Sequence, residues 1–166
     1  MKFNYRKTPR AQWHGYMGAN YFVTICTKGN EPYFGIVKNE FVYLTEIGEF
    51  LQKQIEDTIN IRRGEISIPC YAIMPNHIHL IVCFHNENVL EQNYDEVTSF
   101  GPQRKNLASV IRGIKSSVKK FANDNNIHFE WQGRYNDRII RDHNEMNLIS
   151  EYIENNPIKW DLKNNL

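Results

Sequence analysis

The chain has 166 residues, of which 41% are hydrophobic and 23% charged, a composition typical of a soluble domain with its own core. No apolar stretch approaches the roughly 20 residues of a membrane-spanning helix, and the basic N-terminal segment lacks the apolar part of a secretion signal. We therefore expect a cytoplasmic protein without a membrane partner. The net charge of +1 does not indicate a polyanion partner, so only local clusters of charge can argue for one.

The three cysteines are far apart and lie in apolar runs: Cys26, Cys70 and Cys83. An odd number without a CxxC pair argues against a disulfide framework and against a structural zinc site. We expect buried thiols without a chemical role.

The first half of the chain predicts strands around one helix. Residues 21–28 (YFVTICTK) are β-branched and aromatic, as in a strand, and residues 33–44 predict a short hairpin. Thr45 can cap a helix, because apolar residues recur at helical spacing after it. Two further strands are predicted over 65–74 and 77–84, joined at a Pro-Asn turn.

The second half predicts two helices separated by an extended segment. Residues 85–104 are polar and aperiodic, and we expect a long loop there. Apolar residues at helical spacing predict a helix over about 106–123. Residues 128–140 look extended, and a last helix is predicted over about 144–155, where Pro157 ends it.

Without the small hairpin, the predicted order is strand, helix, strand, strand, helix, strand, helix. This order matches a ferredoxin-like α+β fold, an antiparallel sheet with helices on one face, to which one C-terminal helix is added. We expect a single domain over residues 1–166, with residues 1–15 as a flexible arm.

Two histidines stand in the middle of the apolar strand predicted at 77–84 (HIHLIVCF). Residues i and i+2 of a strand share a face, so His77 and His79 point to one side and Ile78 and Leu80 to the other. At this spacing two imidazoles can bind one divalent ion. The alternative is a pair of hydrogen-bonded core histidines, and the pattern leaves both interpretations open.

Two histidines are too few to hold a metal ion, so another element has to supply a ligand. On the last predicted helix, Tyr152 and Asn156 are four residues apart and share a face. Asn156 precedes Pro157, and a frayed helix end there leaves its amide free to reach a metal. The plainer alternatives are a tyrosine at the edge of the core and an Asn-Pro pair that stops a helix.

Basic side chains form two groups that can follow a DNA backbone. The first, the helix group, lies along the helix predicted at 106–123, and the second, the arginine group, lies between that helix and the last one. Solvated surface charge is the ordinary alternative for each. The helix group is Lys105, Arg112, Lys115 and Lys119, and the arginine group is Arg134, Arg138 and Arg141.

Several segments, in order over about residues 15–160, together resemble the REP-associated tyrosine transposases, which are single-tyrosine members of the HUH endonuclease superfamily. H-x-H alone is a weak motif, whereas the ordered combination is specific. The segments are YFVTICTK (21–28), MPNHIHLIV (74–82), GPQRKNLASVIRGIKS (101–116), FEWQGRYNDRIIRD (129–142) and EYIENNPIKW (151–160).

The resemblance implies a role for each residue of the motif. Tyr152 matches the nucleophile, and His77, His79 and Asn156 match the ligands of a divalent metal, Mg²⁺ or Mn²⁺. The implied reaction is nicking and joining of single-stranded DNA through a 5′-phosphotyrosine intermediate, on DNA with hairpin elements, by a monomer or a homodimer. Related sequences often have a histidine where this chain has residues 137–140 (DRII), so no imidazole is expected there.

Two other functions compete with this interpretation. A non-catalytic nucleic-acid binder on the same fold would resemble an RRM, but the histidine strand has no aromatic residue on the histidine face and the RRM signature is absent. A small metallohydrolase would leave Tyr152 without a role and would need more carboxylates or histidines around the metal.

Overall fold

The structure, a computed structural model, describes residues 19–85 and 107–164. The predicted arm at 1–15, nearly all of the predicted loop at 85–104, and Lys105 lie outside the described residues. No helix in the described part of the chain is both long enough and apolar enough to cross a membrane. The strands are β1 (Asn20–Cys26), β2 (Gly35–Lys38), β3 (Phe41–Leu44), β4 (Ile66–Met74), β5 (His77–Phe84) and β6 (Asn136–Ile140), and the helices are α1 (Glu46–Ile61), α2 (Leu107–Asp124), α3 (His143–Glu154) and α4 (Asn156–Asn164).

Four strands form one antiparallel sheet in the order β4-β5-β1-β6. With α1 after β1 and α2 after β5, this is the ferredoxin-like arrangement, so the predicted fold class is confirmed. Strands β2 and β3 form a separate hairpin, as predicted. Its turn residues Asn39 and Glu40 both have positive φ, 51° and 65°, the conformation that closes a two-residue hairpin with the correct twist.

The two faces of the sheet have separate cores because side chains alternate along each strand. Helices α1 and α2 cover one face, where Ile78, Leu80 and Val82 of β5 are fully buried. Helix α3 covers part of the opposite face, where it packs Ile149 and Ile153 into a second cluster. The added helix therefore lies on the opposite side of the sheet from the other two. The three cysteines are free thiols, two of them buried.

The chain between α3 and α4 corrects the prediction for Pro157. Helix α3 ends at Glu154, and Asn155 takes φ −85° and ψ 0°. A new helix begins at Asn156, and the backbone carbonyl of Asn155 accepts from the N–H of Lys159 at 3.1 Å. Pro157 thus lies in the first turn of α4, where N–H groups have no partner within the helix and a proline costs little. Asn156 is therefore the first residue of a separate helix rather than the frayed end of the helix that contains Tyr152.

Gly48 lies in the first turn of α1, and its backbone closely approaches another segment. A Cβ added there would be 2.1 Å from the carbonyl oxygen of Phe34, a fully buried residue. We expect Gly48→Ala to lower the free energy of unfolding by on the order of 2–3 kcal/mol, since backbone has to move. Gly113→Ala in α2 is the matched control: its Cβ meets no atom within 4 Å, and it should stabilise by about 0.5–1 kcal/mol.

Urea unfolding followed by circular dichroism measures both changes. Equal stability of Gly48→Ala and the wild-type chain would show that the close packing of Phe34 on α1 is wrong.

Candidate active site

The paired histidines lie on the face of β5 that α3 partly covers. Their ring centroids are 4.6 Å apart at an interplanar angle of 69°. Ile78 and Leu80 are buried on the other face, so the predicted side of each residue is confirmed. His79 is 5% exposed, whereas His77 is half-buried near the end of the strand.

One nitrogen of each imidazole is already engaged. The Nδ1 of His77 lies 2.7 Å from the Oδ1 of Asn76, whose Nδ2 donates to the backbone carbonyl of Asn30 at 3.1 Å. Because that carbonyl can only accept, the amide oxygen of Asn76 faces His77, and the proton of His77 is on Nδ1. The Nδ1 of His79 lies 2.9 Å from the hydroxyl of Thr24. Neither Nε2 atom makes a hydrogen bond within residues 19–85 and 107–164, and a hydrogen bond at Nδ1 is the arrangement that orients metal-binding histidines.

Both imidazoles are neutral near pH 7. Burial lowers the pKa of His77 from 6.5 to about 4. Burial, with a smaller effect of the neighbouring His77, lowers the pKa of His79 to about 3. The neutral form is the one that donates a lone pair to a metal ion.

Tyr152 projects from α3 towards the same place. Its ring centroid is 5.4 Å from that of His79 and 6.1 Å from that of Phe22, and the side chain is 42% exposed. The ammonium of Lys159 lies 5.1 Å from the ring centroid. The structure thus brings the predicted nucleophile beside the histidine pair within a single chain.

Helix α4 closes another side of the site. Asn156, its first residue, is 8% exposed, and Trp160 lies one turn later with its ring centroid 5.9 Å from that of His77. Residues i and i+4 of a helix share a face, so Asn156 also lies on the side towards the histidines. The hairpin holds this helix, because the carboxylate of Asp161 accepts from the backbone N–H of Glu40 at 2.9 Å.

The described members of the helix group, Arg112, Lys115 and Lys119, lie away from this site. Helix α2 packs on the opposite face of the sheet. There the ammonium of Lys115 donates to the carbonyl of Gln132 at 2.7 Å, and that of Lys119 donates to the carbonyl of Phe129 at 2.6 Å. These two lysines tie α2 to the segment before β6, and Arg112 is exposed on the same helix.

The arginine group is closer to the site. Arg138 faces the same side as Phe22, its partner across β1 and β6, and its guanidinium pairs with Glu145 at 2.9 Å. Arg134 and Arg141 are exposed at the two ends of β6. Of the arginine group, Arg138 is the residue that lines the cavity next to Tyr152.

This cavity has a volume of about 450 Å³ and opens between β1, β6 and α3. Phe22, Leu148 and Ile149 give it an apolar wall, and Thr24 and Tyr152 connect it to the histidine pair. The remaining lining residues are Asn136, Asp137 and Arg138.

Three residues of the site were missed by sequence reasoning. The pairing of Thr24 with His79 depends on the β1–β5 register, for which the sequence has no local signal. The Pro-Asn pair predicts only a turn at Asn76, although its position next to His77 is a usable signal. Lys159 follows Tyr152 by seven residues, a spacing that would also have suggested a shared face on a continuous helix.

A divalent metal ion fits this set of side chains. No three His, Cys, Asp or Glu side chains cluster in the described ranges, so a purely His/carboxylate site is excluded there. Two neutral imidazoles, whose Nε2 atoms make no hydrogen bond to the described residues, and the buried side chain of Asn156 would leave further positions open for oxygen ligands.

No protein-family model matches the chain. The structure of a REP-associated tyrosine transposase bound to a REP hairpin matches with a TM-score of 0.59 at 18% identity, over 95% of this chain and 73% of that one. The chain therefore has the fold of that transposase.

One relative is more similar to this chain in amino-acid sequence. The chain is 31% identical over 170 residues to an uncharacterised protein of Haemophilus influenzae, and the match covers 95% of this chain and 91% of that protein. This chain belongs to the same family as the Haemophilus influenzae protein.

Proposed function

We propose that this chain nicks and rejoins single-stranded DNA by transesterification, with Tyr152 as the nucleophile and a divalent metal held by His77, His79 and Asn156. The observation behind the proposal is the 5.4 Å between the ring centroids of Tyr152 and His79. The fold supports it, since the solved transposase of the same fold is bound to a DNA hairpin. Single-stranded DNA with hairpin elements is thus the proposed partner, and the cytoplasm is the expected location.

The proposed step replaces one phosphodiester bond by another. The phenol oxygen of Tyr152 loses its proton and bonds to the scissile phosphorus, while the 3′-oxygen of the preceding nucleotide leaves with its electron pair and takes up a proton. The product is a 5′-phosphotyrosine ester and a free 3′-hydroxyl. The ester retains the bond energy, so a 3′-hydroxyl can attack it and rejoin the strand. Mg²⁺ or Mn²⁺, when bound, neutralises charge on the phosphate.

Lys159 assists Tyr152 in this proposal. Its ammonium is close to the ring face, where a cation is attracted by the π electrons, and the attraction grows as the oxygen becomes negative. The flexible lysine stem also lets the ammonium reach a phosphate oxygen. Since Tyr152 and the histidines belong to one chain, a monomer is sufficient for the chemistry.

The competing functions fit the arrangement less well. An RRM binds RNA on an open sheet face through aromatic residues, and here α3 packs over the face that contains the histidines and Phe22. A metallohydrolase would need further His or carboxylate ligands, and the described residues offer no such cluster.

The test is a search for a covalent adduct. The protein is incubated with labelled single-stranded oligonucleotides that carry hairpins from the DNA flanking its own gene, with Mn²⁺, and is then run on a denaturing gel. A labelled band at the size of the protein plus DNA is expected. Binding without an adduct, with any divalent metal, would contradict the proposal and favour a non-catalytic binder.

The hydrogen bond from His77 to Asn76 gives a prediction about metal affinity. Asn76→Ala removes the acceptor that keeps the proton on Nδ1 and orients the ring, so Mn²⁺ affinity should fall about 10–100-fold. Isothermal titration calorimetry measures the change. Asn123→Ala, at an exposed position on α2, is the matched control and should bind Mn²⁺ as the wild type does. An unchanged affinity in Asn76→Ala would argue against His77 as a ligand.

A further inference from the structure

The cavity beside Tyr152 has no role in the reaction proposed above. Its volume of about 450 Å³ is within the range of small-molecule sites, roughly 300–1,000 Å³. It shares Thr24 and Tyr152 with the candidate active site, so whatever fills it lies next to the Tyr152 side chain and to the hydroxyl that bonds to His79.

The strand register decides which side chains face the cavity. Across β1 and β6, Thr24 pairs with Asn136 and Phe22 pairs with Arg138, and cross-strand partners share a face. Asp137 pairs instead with Val23, whose side chain belongs to the core on the other face. Its carboxylate is therefore directed away, and Asp137 contributes backbone to the cavity.

The charge of the cavity argues against a phosphate as occupant. Arg138 is its cationic group, and the guanidinium is already paired with Glu145 at 2.9 Å. The other lining side chains are uncharged, and Phe22, Leu148 and Ile149 form an apolar wall, with Leu148 68% exposed. A flat, uncharged ligand would cover that leucine and contact Phe22.

Asn136 supplies a polar group for such a ligand. It is exposed, and its side-chain amide makes no hydrogen bond with another residue of the described ranges. An asparagine amide offers one donor and one acceptor side by side, the pattern that recognises the edge of a nucleobase.

We propose that this cavity binds one unpaired nucleobase of the DNA strand, adjacent to the phosphate that Tyr152 attacks. The base packs against Phe22 and Leu148, and its edge bonds to Asn136, which makes Asn136 a determinant of base preference. This assignment rests on the proposed function, because it takes the ligand to be single-stranded DNA.

The experiment measures binding rather than cleavage. The same hairpin oligonucleotides are given an abasic nucleotide at each single-stranded position in turn, and dissociation constants are measured by fluorescence anisotropy without divalent metal. One abasic position should weaken wild-type binding about 10-fold, the size expected for loss of a stacked base. In Leu148→Asn and in Asn136→Ala the same abasic nucleotide should weaken DNA binding only about 3-fold or less, because each substitution has already removed a contact to that base.

Base preference gives the second readout. With each of the four bases at that position, wild-type affinities should differ by about 10-fold, and Asn136→Ala should reduce the difference to about 2-fold. Ile139→Ser is the matched control: Ile139 is 55% exposed on the same strand, but it pairs with Tyr21 on the other face. In Ile139→Ser, the abasic nucleotide should weaken binding as much as in the wild type, and the preference among the four bases should be unchanged.

The nucleobase site would be overturned if the abasic nucleotide weakened DNA binding equally in the wild type and in both cavity variants. It would also be overturned if no abasic position weakened binding to the wild type. Failure of the proposed function gives a different result. In that case no covalent adduct forms with metal, while the coupling between abasic position and cavity variants persists in the binding measurement.

Discussion

Tyr152→Phe is expected to abolish the covalent protein–DNA adduct and to lower the cleavage rate by at least about 10³-fold. Only the phenol oxygen is removed. The phenyl ring keeps its packing against Phe22 and His79 and its position under Lys159. DNA binding should therefore change by less than about 2-fold. Adduct formation on a denaturing gel and anisotropy with the same oligonucleotide measure the two quantities.

Tyr135→Phe is the matched control for this change. Tyr135 also loses one phenol oxygen, but its ring packs with the core on the opposite face of the sheet. It should form the adduct at the wild-type rate. Cleavage by Tyr152→Phe at the wild-type rate would mean that water or another side chain attacks the phosphate, which is the metallohydrolase reaction.

His77→Ala is expected to lower Mn²⁺-supported cleavage by at least about 100-fold at low metal concentration. The substitution removes one of two imidazoles whose centroids are 4.6 Å apart, and the remaining ligands hold the ion too weakly. A rise in Mn²⁺ should restore part of the activity, because the Tyr152 nucleophile is intact. The measurement is the cleavage rate as a function of Mn²⁺ concentration, with folding checked by circular dichroism.

The control for His77→Ala is His128→Ala. His128 is exposed and contacts Tyr33 on the other face of the sheet. Cleavage by His128→Ala should therefore depend on Mn²⁺ concentration as cleavage by the wild type does. If His77→Ala had the same Mn²⁺ dependence as the wild type, the histidine pair would be a structural feature and the metal would bind elsewhere.

The histidine side and the cavity side of the candidate site differ in how firmly their side chains are held. Asn76 and Thr24 orient the histidines through hydrogen bonds, and the hairpin holds α4 through Asp161. The cavity side, in contrast, has an exposed leucine and an amide without a hydrogen bond to the described residues. If the site acts as proposed, this contrast is the one expected where rigidly held catalytic side chains lie next to a surface that the substrate covers.

Periodicity predicted the elements well where burial is one-sided. The helical spacing after Thr45 predicted α1, and the hydroxyl of Thr45 does accept from the N–H of Gly48 at 3.3 Å. The predicted helix over 144–155 does end before Pro157, but the sequence did not predict that the same proline lies in the first turn of a further helix, α4. The spacing of the helix group predicts one basic stripe, but Lys115 and Lys119 donate to backbone carbonyls that only the fold brings near.

By itself, the sequence determined the order of strands and helices and the shared face of His77 and His79. Both follow from local periodicity, since successive side chains of a strand point to opposite faces whatever the strand packs against. Only the tertiary structure decided that Thr24 bonds to His79, that α3 crosses the histidine face, and that a cavity remains between β1, β6 and α3. Those contacts join segments far apart in the chain, and they depend on strand register and helix packing, for which no local pattern of residues exists.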